Sequence, residues 1–523
     1  MNTHKITTLF SRHNFFFPLL SGIFIGTSYI PFPPWALFFA FVPLWMSLLE
    51  AKSLTQILGR TFVTQFTLSL IGFHWIIVVS QEHGHLPFPV AILILLLFCS
   101  IAMYYFLVSH ALWYFIKTKF SLSKVSQILL AAGLFSLCEE VLPTLFPWNF
   151  GYPWLFARLP GFHFADVVGF QGLSTLTIII NAILSLGFIT PFRSKHLVKA
   201  LTSGIALFLA INLLGFWRKA ELPSSDSQLN TLVVQANIGN LEKEYAQFGG
   251  AFRQSITNRF FNLTLKGLKE QSIDFAVWPE TAFPASVGPT KNNDEYPQAL
   301  FNFLKTNRIP LITGAYFHNP ENNQTSNAIY YINEQGIPLS PPYKKVYLLA
   351  FGEYLPFGEL FPQLKKMLPQ VADFERGSGP KVSHFQDFIV GNQVCYEGLF
   401  PSFSRQLALQ GAQFFVNLTN DSWFGKHSEP YQHLYMTLSR AIEFRRPLIR
   451  STNTGISTAI EADGTILTNS PIFKPWSSVF TVHYSKTPIN TIFMQFPWIN
   501  EIIIGFIILF ALFTKPNLSK EES

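Results

Sequence analysis

In its N-terminal part the chain alternates long unbroken apolar stretches with short polar loops, a pattern that suits helices solvated by lipid. A helix needs about 20 apolar residues to cross the hydrocarbon core of a bilayer. Candidate spans fall at 15–30, 35–49, 62–79, 90–116, 125–141, 168–189 and 201–217, with a last one at 498–513. The pattern predicts a polytopic α-helical membrane bundle of about eight spans, with a soluble-looking segment between the last two. The first span is expected to be a retained helix and not a cleavable leader. Pro31-Phe32-Pro33-Pro34 stands where a small-residue cleavage site would fall, and another apolar run follows at once. Gly22 and Gly26 form a small-xxx-small pair suited to close helix packing. The loop 143–167 is rich in Pro, Trp and Phe, as suits a membrane–water interface, and makes Trp148 a candidate wall of a lipid entrance.

After the linker Glu221-Leu222-Pro223-Ser224-Ser225-Asp226-Ser227 the rhythm changes. Short apolar runs at 232–235, 275–278, 309–316, 328–332, 388–394, 414–418 and 457–461 alternate with amphipathic stretches such as 252–271. Strands with intervening helices predict an α/β sandwich with one core. Ala462-Asp463-Gly464 is a turn signal between strands. The domains read from this pattern are 1–217, a membrane bundle, then 218–490, a catalytic domain, and 491–523, a final span and tail.

Composition supports lipid as the solvent of much of the chain. Only 13% of the 523 residues are charged, against about 25% in a soluble domain. The net charge of +7 is not gathered in one block, so it reads as membrane topology and not as a nucleic-acid surface. Lys5, Arg12, Lys52, Arg60, Lys117, Lys119, Lys124, Arg193, Lys195, Lys199, Lys515 and Lys520 fall in alternate loops or the termini, Arg158 being the exception. That alternation predicts cytoplasmic termini and an outer-side segment 218–485.

The chemistry lies in that segment. Three cysteines are too few for a disulfide framework. Cys99 and Cys138 sit in apolar spans as small core residues, whereas Cys395 ends the strand-like run Phe388–Val394. Glu280 follows Ala276-Val277-Trp278-Pro279, and Lys345 lies in Tyr343-Lys344-Lys345-Val346-Tyr347. A thiol, a carboxylate and an amine at strand ends are the parts needed for acyl transfer through a thioester. The thiol, with an ordinary pKa near 8.5, needs a base. Glu280 is the candidate, its apolar neighbours Trp278, Pro279, Phe283 and Pro284 being expected to raise its pKa. Lys345 and the amides after Cys395 are candidates for holding the oxyanion. Glu353 and Glu397 are read as orienting Lys345 and Glu280. Phe351, Tyr354, Leu355, Pro356 and Phe357 form a candidate apolar lid against water, with Trp423 a further substrate contact. His427 and His433 lack the carboxylate spacing of a zinc site, and neither metal nor cofactor is expected. A membrane-bound hydrolase of small amides using the same trio stays open, as does a transporter or scaffold whose outer domain only binds lipid.

Trp278-Pro279-Glu280, Tyr343-Lys344-Lys345 with Leu349-Ala350-Phe351-Gly352-Glu353, and Val394-Cys395-Tyr396-Glu397 resemble the three motif regions of the carbon–nitrogen hydrolase (nitrilase) superfamily. Asn417-Leu418-Thr419-Asn420-Asp421-Ser422-Trp423-Phe424-Gly425 and Arg450-Ser451-Thr452-Asn453-Thr454-Gly455 narrow the match. With apolar spans on both sides, essentially the whole chain resembles the bacterial apolipoprotein N-acyltransferase family. The resemblance implies an αββα domain on the periplasmic side of the inner membrane. It also implies transfer of an acyl chain from a phospholipid to the α-amine of the S-diacylglyceryl cysteine of an apolipoprotein. By motif position Cys395 is the nucleophile, Glu280 the proton acceptor and Lys345 the third catalytic member, with Glu353, Tyr396 and Glu397 supporting them. Two departures stand out: Leu349-Ala350-Phe351-Gly352-Glu353 replaces the family's Val-Pro-Phe-Gly-Glu, and a tryptophan common after the first strand is missing from Asn237-Ile238-Gly239-Asn240-Leu241-Glu242-Lys243.

Overall fold

The computed structural model describes residues 15–189, 194–287, 296–339, 341–356 and 371–514, with 358, 360, 361, 363 and 366 between the last two stretches. Phe357, one of the lid candidates, lies outside the described residues. The chain divides into a helical unit, built from the chain up to Ser80, Leu86–Glu221 and the chain from Gln495, and an α/β unit of Gln81–His85 and Leu222–Met494.

In the helical unit, Phe88–Lys119, Pro160–Leu186 and Lys195–Ala220 are long and apolar enough to cross a membrane. Leu54–Gly72 and Ile76–Glu82, bent by 55° at their junction, make a fourth if they form one span. The sequence pattern asks for about eight, more than helix length and apolarity establish among the described residues. Phe16–Gly26 has 11 residues, Ile499–Phe513 has 15 and Val42–Leu49 has 8. Prolines cut the second candidate short: Pro31, Pro33 and Pro34 precede it, and Pro43 opens its only regular helix.

Gly22 and Gly26 do permit close packing. A Cβ on Gly22 would lie 2.7 Å from the Thr64 carbonyl oxygen, and one on Gly26 would lie 2.9 Å from Ile71. Several polar groups in this unit are paired with one another, as a lipid-facing fold favours. Ser174 donates to Glu139 at 2.6 Å, Asn500 to Glu140 at 2.6 Å, and Arg218 forks onto Asp166 at 3.0 and 3.1 Å. Trp148 is buried between the rings of Tyr29 (3.9 Å) and Phe73 (4.4 Å). It is a packing ring of the helical core and does not present the open face that an entrance wall would need.

The α/β unit contains β1 (Ser227–Gln235), β2 (Phe275–Val277), β3 (Leu311–His318), β4 (Thr325–Ile332), β5 (Tyr343–Lys344), β6 (Val382–Phe385), β7 (Phe388–Val394), β8 (Phe414–Thr419), β9 (Leu448–Thr452), β10 (Thr458–Ile460) and β11 (Trp476–Tyr484). One sheet runs β11-β1-β2-β3-β4-β5 and the other β10-β9-β8-β7-β6. The central pairs β1/β2, β2/β3, β7/β8 and β8/β9 are parallel, so their chain ends gather at one edge, while the outer pairs are antiparallel. Alternate residues of each strand face opposite ways. Phe275 stacks on Phe414 across the two sheets (6.0 Å), and Ser451 donates to the Val234 carbonyl at 3.2 Å. On the other face, Leu232, Val234, Trp278 and Leu311 pack with Phe260 and Leu304 from helices Gly250–Leu268 and Tyr296–Asn307. Each fully buried aliphatic or phenyl side chain of this kind contributes about 1.5–3 kcal/mol. Helices Pro401–Leu409 and Glu429–Phe444 cover the second sheet, completing helix–sheet–sheet–helix layering.

Strands β5, β6, β9 and β11 do not follow from the apolar pattern. β9 reads Leu448-Ile449-Arg450-Ser451-Thr452 and is buried throughout, polar residues included. The turn at Ala462-Asp463-Gly464 is present, with Gly464 at φ 84°.

Gly314 of β3 is where the first sheet meets the Glu280 turn. Its amide donates to the Pro279 carbonyl at 3.1 Å, and its own carbonyl accepts from Ala282 at 2.9 Å. A Cβ there would come within 2.6–2.7 Å of Thr281 N, Glu280 Cα and Pro279 O, all backbone or backbone-linked atoms that cannot swing aside. Gly314→Ala is expected to cost about 1–3 kcal/mol of stability and to displace Glu280. Thermal unfolding of the purified protein checks this, with Gly239→Ala, whose Cβ meets nothing within 4 Å, as the control.

Candidate active site

Each of the three candidate side chains is delivered by the end of a strand. After β2, the Trp278 indole donates to Thr264 at 3.0 Å and stacks on Phe260, anchoring the chain before it turns at Pro279 into Glu280. The Lys345 amide donates to the Asn327 carbonyl at 2.8 Å, tying the residue after β5 to β4. β7 ends at Val394, and Cys395 opens the tight turn Cys395–Leu399.

Lys345 is 1% exposed, and its ammonium donates to Glu353 Oε1 at 2.8 Å and Glu280 Oε1 at 3.1 Å. The Asn327 amide nitrogen donates to the same two carboxylates, at 2.6 Å to Glu280 and 3.2 Å to Glu353. The second oxygen of Glu353 accepts from the Leu349 amide at 2.8 Å. Burial alone would lower the Lys345 pKa, but the charges of Glu280 and Glu353 outweigh it and hold it well above the ordinary lysine value. Lys345 is therefore a fixed cation. Burial, reinforced by Glu280, pushes the Cys395 thiol well above its usual value, and Lys345 offsets only part of this. A thiol held neutral in this way would need a base in order to attack as a nucleophile.

Glu397 is fully buried but does not bind Glu280. It accepts from the Tyr343 hydroxyl (2.9 Å) and from the amides of Val346 (2.5 Å), Tyr347 (3.2 Å) and Val394 (2.7 Å). It thus stitches the backbone flanking Lys345 to the strand end that carries Cys395. Burial pushes its carboxyl up to about 7, against the pull of those amides. Tyr396 packs edge-on against Phe400, with ring centroids 4.9 Å apart.

Cys395 has φ 49°, a left-handed conformation that costs a non-glycine residue about 1–3 kcal/mol. The Asn417 amide nitrogen clamps its carbonyl at 3.2 Å. Arg450, fully buried, donates to Asn417 Oδ1 at 2.7 Å and Asp421 at 3.0 Å, and Asp421 accepts from His433 at 3.0 Å. Burial pushes the Asp421 carboxyl up, yet His433 and Arg450 outweigh it and hold it below its ordinary value. Asp421, Glu429 and His433 bring possible ligand atoms within 4.8 Å of one another. An ion there would have to compete with the Arg450 guanidinium already on Asp421, and the cluster instead supports the Cys395 turn through Asn417.

Glu280, Lys345 and Cys395 line one cleft of about 930 Å³. Trp423 also lines it, stacked on His83 at 4.1 Å. Phe351 is half exposed with φ 64°, its amide bonded to the Tyr354 carbonyl at 2.8 Å, and the Tyr354 ring lies under Arg376 at 4.6 Å. Neither Phe351 nor Tyr354 lines the cleft, and Trp148 belongs to the helical unit. The sequence reading missed Asn327, Asn417 and Arg450. Asn417 and Arg450 stand in the motifs that carry the resemblance, which was the available signal; Asn327 lies inside an ordinary strand and left none.

The model of the carbon–nitrogen hydrolase family matches residues 227–482, and that of the apolipoprotein N-acyltransferase N-terminal domain matches residues 21–183. The apolipoprotein N-acyltransferase of Bdellovibrio bacteriovorus is 43% identical over 503 residues, covering 94% of this chain and 92% of that one. That of Geobacter metallireducens is 29% identical over 471 residues, covering 88% of each. Among solved structures, Nit3 of Saccharomyces cerevisiae, from the nitrilase superfamily, superposes with a TM-score of 0.38 at 16% identity, over 50% of this chain and 91% of that one. Both halves of the chain match, and the similarity runs through nearly the full length of the Bdellovibrio protein: the chain belongs to the apolipoprotein N-acyltransferase family.

Proposed function

We propose that this chain acylates the N-terminal amine of S-diacylglyceryl-cysteine apolipoproteins, taking the acyl group from a membrane phospholipid through a thioester on Cys395. The observation that carries the reading is the buried Glu280–Lys345–Glu353 cluster, electrostatically coupled to Cys395 within one cleft, in a chain of this family. Glu280 accepts the Cys395 proton as sulfur attacks the ester carbonyl. The Lys345 ammonium, with the amides that open the turn after Cys395, faces the oxyanion. Collapse expels the lysophospholipid alcohol, which takes the proton back from Glu280. The lipoprotein amine then attacks the thioester, Glu280 accepts the amine proton and returns it to the departing sulfur.

The substrates share one solvent. Both donor and acceptor reside in the bilayer, which accounts for a catalytic unit carried on apolar helices. Alternation of Lys and Arg between loops supports eight spans, cytoplasmic termini and a periplasmic catalytic domain at 218–490, between a bundle at 1–217 and a final span and tail at 491–523. A periplasm-dependent phosphatase reporter fused after Pro223 is expected to be active; activity only from a cytoplasmic reporter at that site overturns the orientation.

Glu280→Gln removes the proton acceptor and Lys345→Ala the buried cation. Each is expected to lower turnover of purified enzyme by at least about 10²–10³-fold. Lys344→Ala should be mild, because Lys344 is a partly exposed partner of Glu375 at 2.8 Å. Equal loss in the two lysine variants would show that Lys345 has no special role.

Incubated with phospholipid alone, the enzyme is expected to gain one acyl mass, sensitive to hydroxylamine and discharged by a diacylglyceryl peptide. Intact-protein mass spectrometry reads both steps, and Cys395→Ala should show neither. Steady release of free fatty acid without acceptor would make the protein a hydrolase.

A further inference from the structure

The wall of the cleft carries a cation that the acyl-transfer chemistry does not use. Lys243, on the helix Asn240–Phe248, lines the cleft with Glu280, Lys345 and Cys395. Its ammonium donates to the Thr281 hydroxyl at 3.1 Å. Among the described residues no carboxylate pairs with it, whereas Lys345 has Glu280 and Glu353, and Lys344 has Glu375. Burial pulls its pKa down to about 8 even though the charge of Glu280 works the other way. The side chain is partly buried, and among the described residues its ammonium meets a neutral hydroxyl and no paired carboxylate, so an anionic ligand in the cleft would supply compensation that the fold does not. Arg253 lines the same cleft, its guanidinium donating to the Ala246 carbonyl at 2.6 Å.

The position of this charge selects the ligand. Thr281 directly follows Glu280, so Lys243 is held beside the residue that serves the reacting ester. A glycerophospholipid carries its phosphate across a short glycerol backbone from the ester that is cleaved. Holding the phosphate at Lys243 would therefore fix the scissile carbonyl near Cys395, an orientation effect that flexible lipid tails cannot supply. The site is anchored by a lysine, which binds phosphate as a point charge and tolerates different headgroups beyond it.

We propose that Lys243 is the phosphate-binding residue for the glycerophospholipid donor. This rests on the acyl-transfer reading above and adds to it where the donor is gripped. The experiment compares the rate of Cys395 acylation, by intact mass, from a phospholipid and from a diacylglycerol with the same chains in mixed micelles. Wild type is expected to prefer the phospholipid. In Lys243→Gln the ratio of the two kcat/KM values should fall about 10–100-fold, the range of a charge-assisted hydrogen bond, and Lys243→Arg should recover much of it. Glycerol phosphate should inhibit acylation of wild type and not of Lys243→Gln. A ratio that stays at the wild-type value overturns the proposal, whether both rates fall together, as they would if Lys243 acted through Glu280, or neither does. Inhibition by inorganic phosphate equal to that by glycerol phosphate overturns the headgroup assignment in favour of a free-phosphate site. Wild type that forms no adduct from phospholipid sinks the acyl-transfer reading instead, a result distinct from an unchanged ratio in an active enzyme.

Discussion

One buried ammonium organises the catalytic end of the α/β unit. Lys345 is almost completely removed from water, a position that costs several kcal/mol for an isolated charge. It is tolerated because Glu280 and Glu353 approach within 3.1 and 2.8 Å. That requirement reaches outward. Glu280 must arrive from the end of β2, which needs Gly314 to have no side chain. Glu353 must arrive from a turn held by the Leu349 amide, and Asn327 must sit between the two carboxylates. The fold around the site is in large part the solution to keeping this one charge compensated.

Cys395 has a separate support. Cys395 adopts a left-handed backbone conformation, and the clamp on its carbonyl comes from Asn417, itself held by Arg450 and, through it, Asp421. The strain at Cys395 and the desolvation of Arg450 are both unfavourable alone. Each is offset by geometry that only the assembled second sheet provides. Glu397 then joins the two halves, since its carboxylate binds amides on both the Lys345 and the Cys395 segments. The segments that carry Lys345 and Cys395 are thereby held to one register.

The chain also serves two solvents. In the helical unit, Glu139, Glu140 and Asp166 each take a hydrogen bond from a partner inside the unit, because hydrocarbon offers none. In the α/β unit, polar residues are recruited into the core to build the site. The same residue types thus satisfy packing in one unit and chemistry in the other.

Local sequence determined the character of each segment. Apolar runs marked the helices; strand-length runs marked β1–β4, β7, β8 and β10; and three short motifs marked Glu280, Lys345 and Cys395, because these signals depend on neighbours a few residues away. It overreached where proline cut helices short, as in Val42–Leu49, and it missed β9, whose Arg450 looks like surface charge until the fold buries it. It offered Trp148 as the wall of a lipid entrance, where the structure buries it between Tyr29 and Phe73. Asn327, the bridge between two carboxylates, and Lys243, which meets the Thr281 hydroxyl on the cleft wall, were decided only by tertiary structure. Their meaning lies in which charges stand within a few ångströms, and those partners are separated along the chain by tens of residues that only folding brings together.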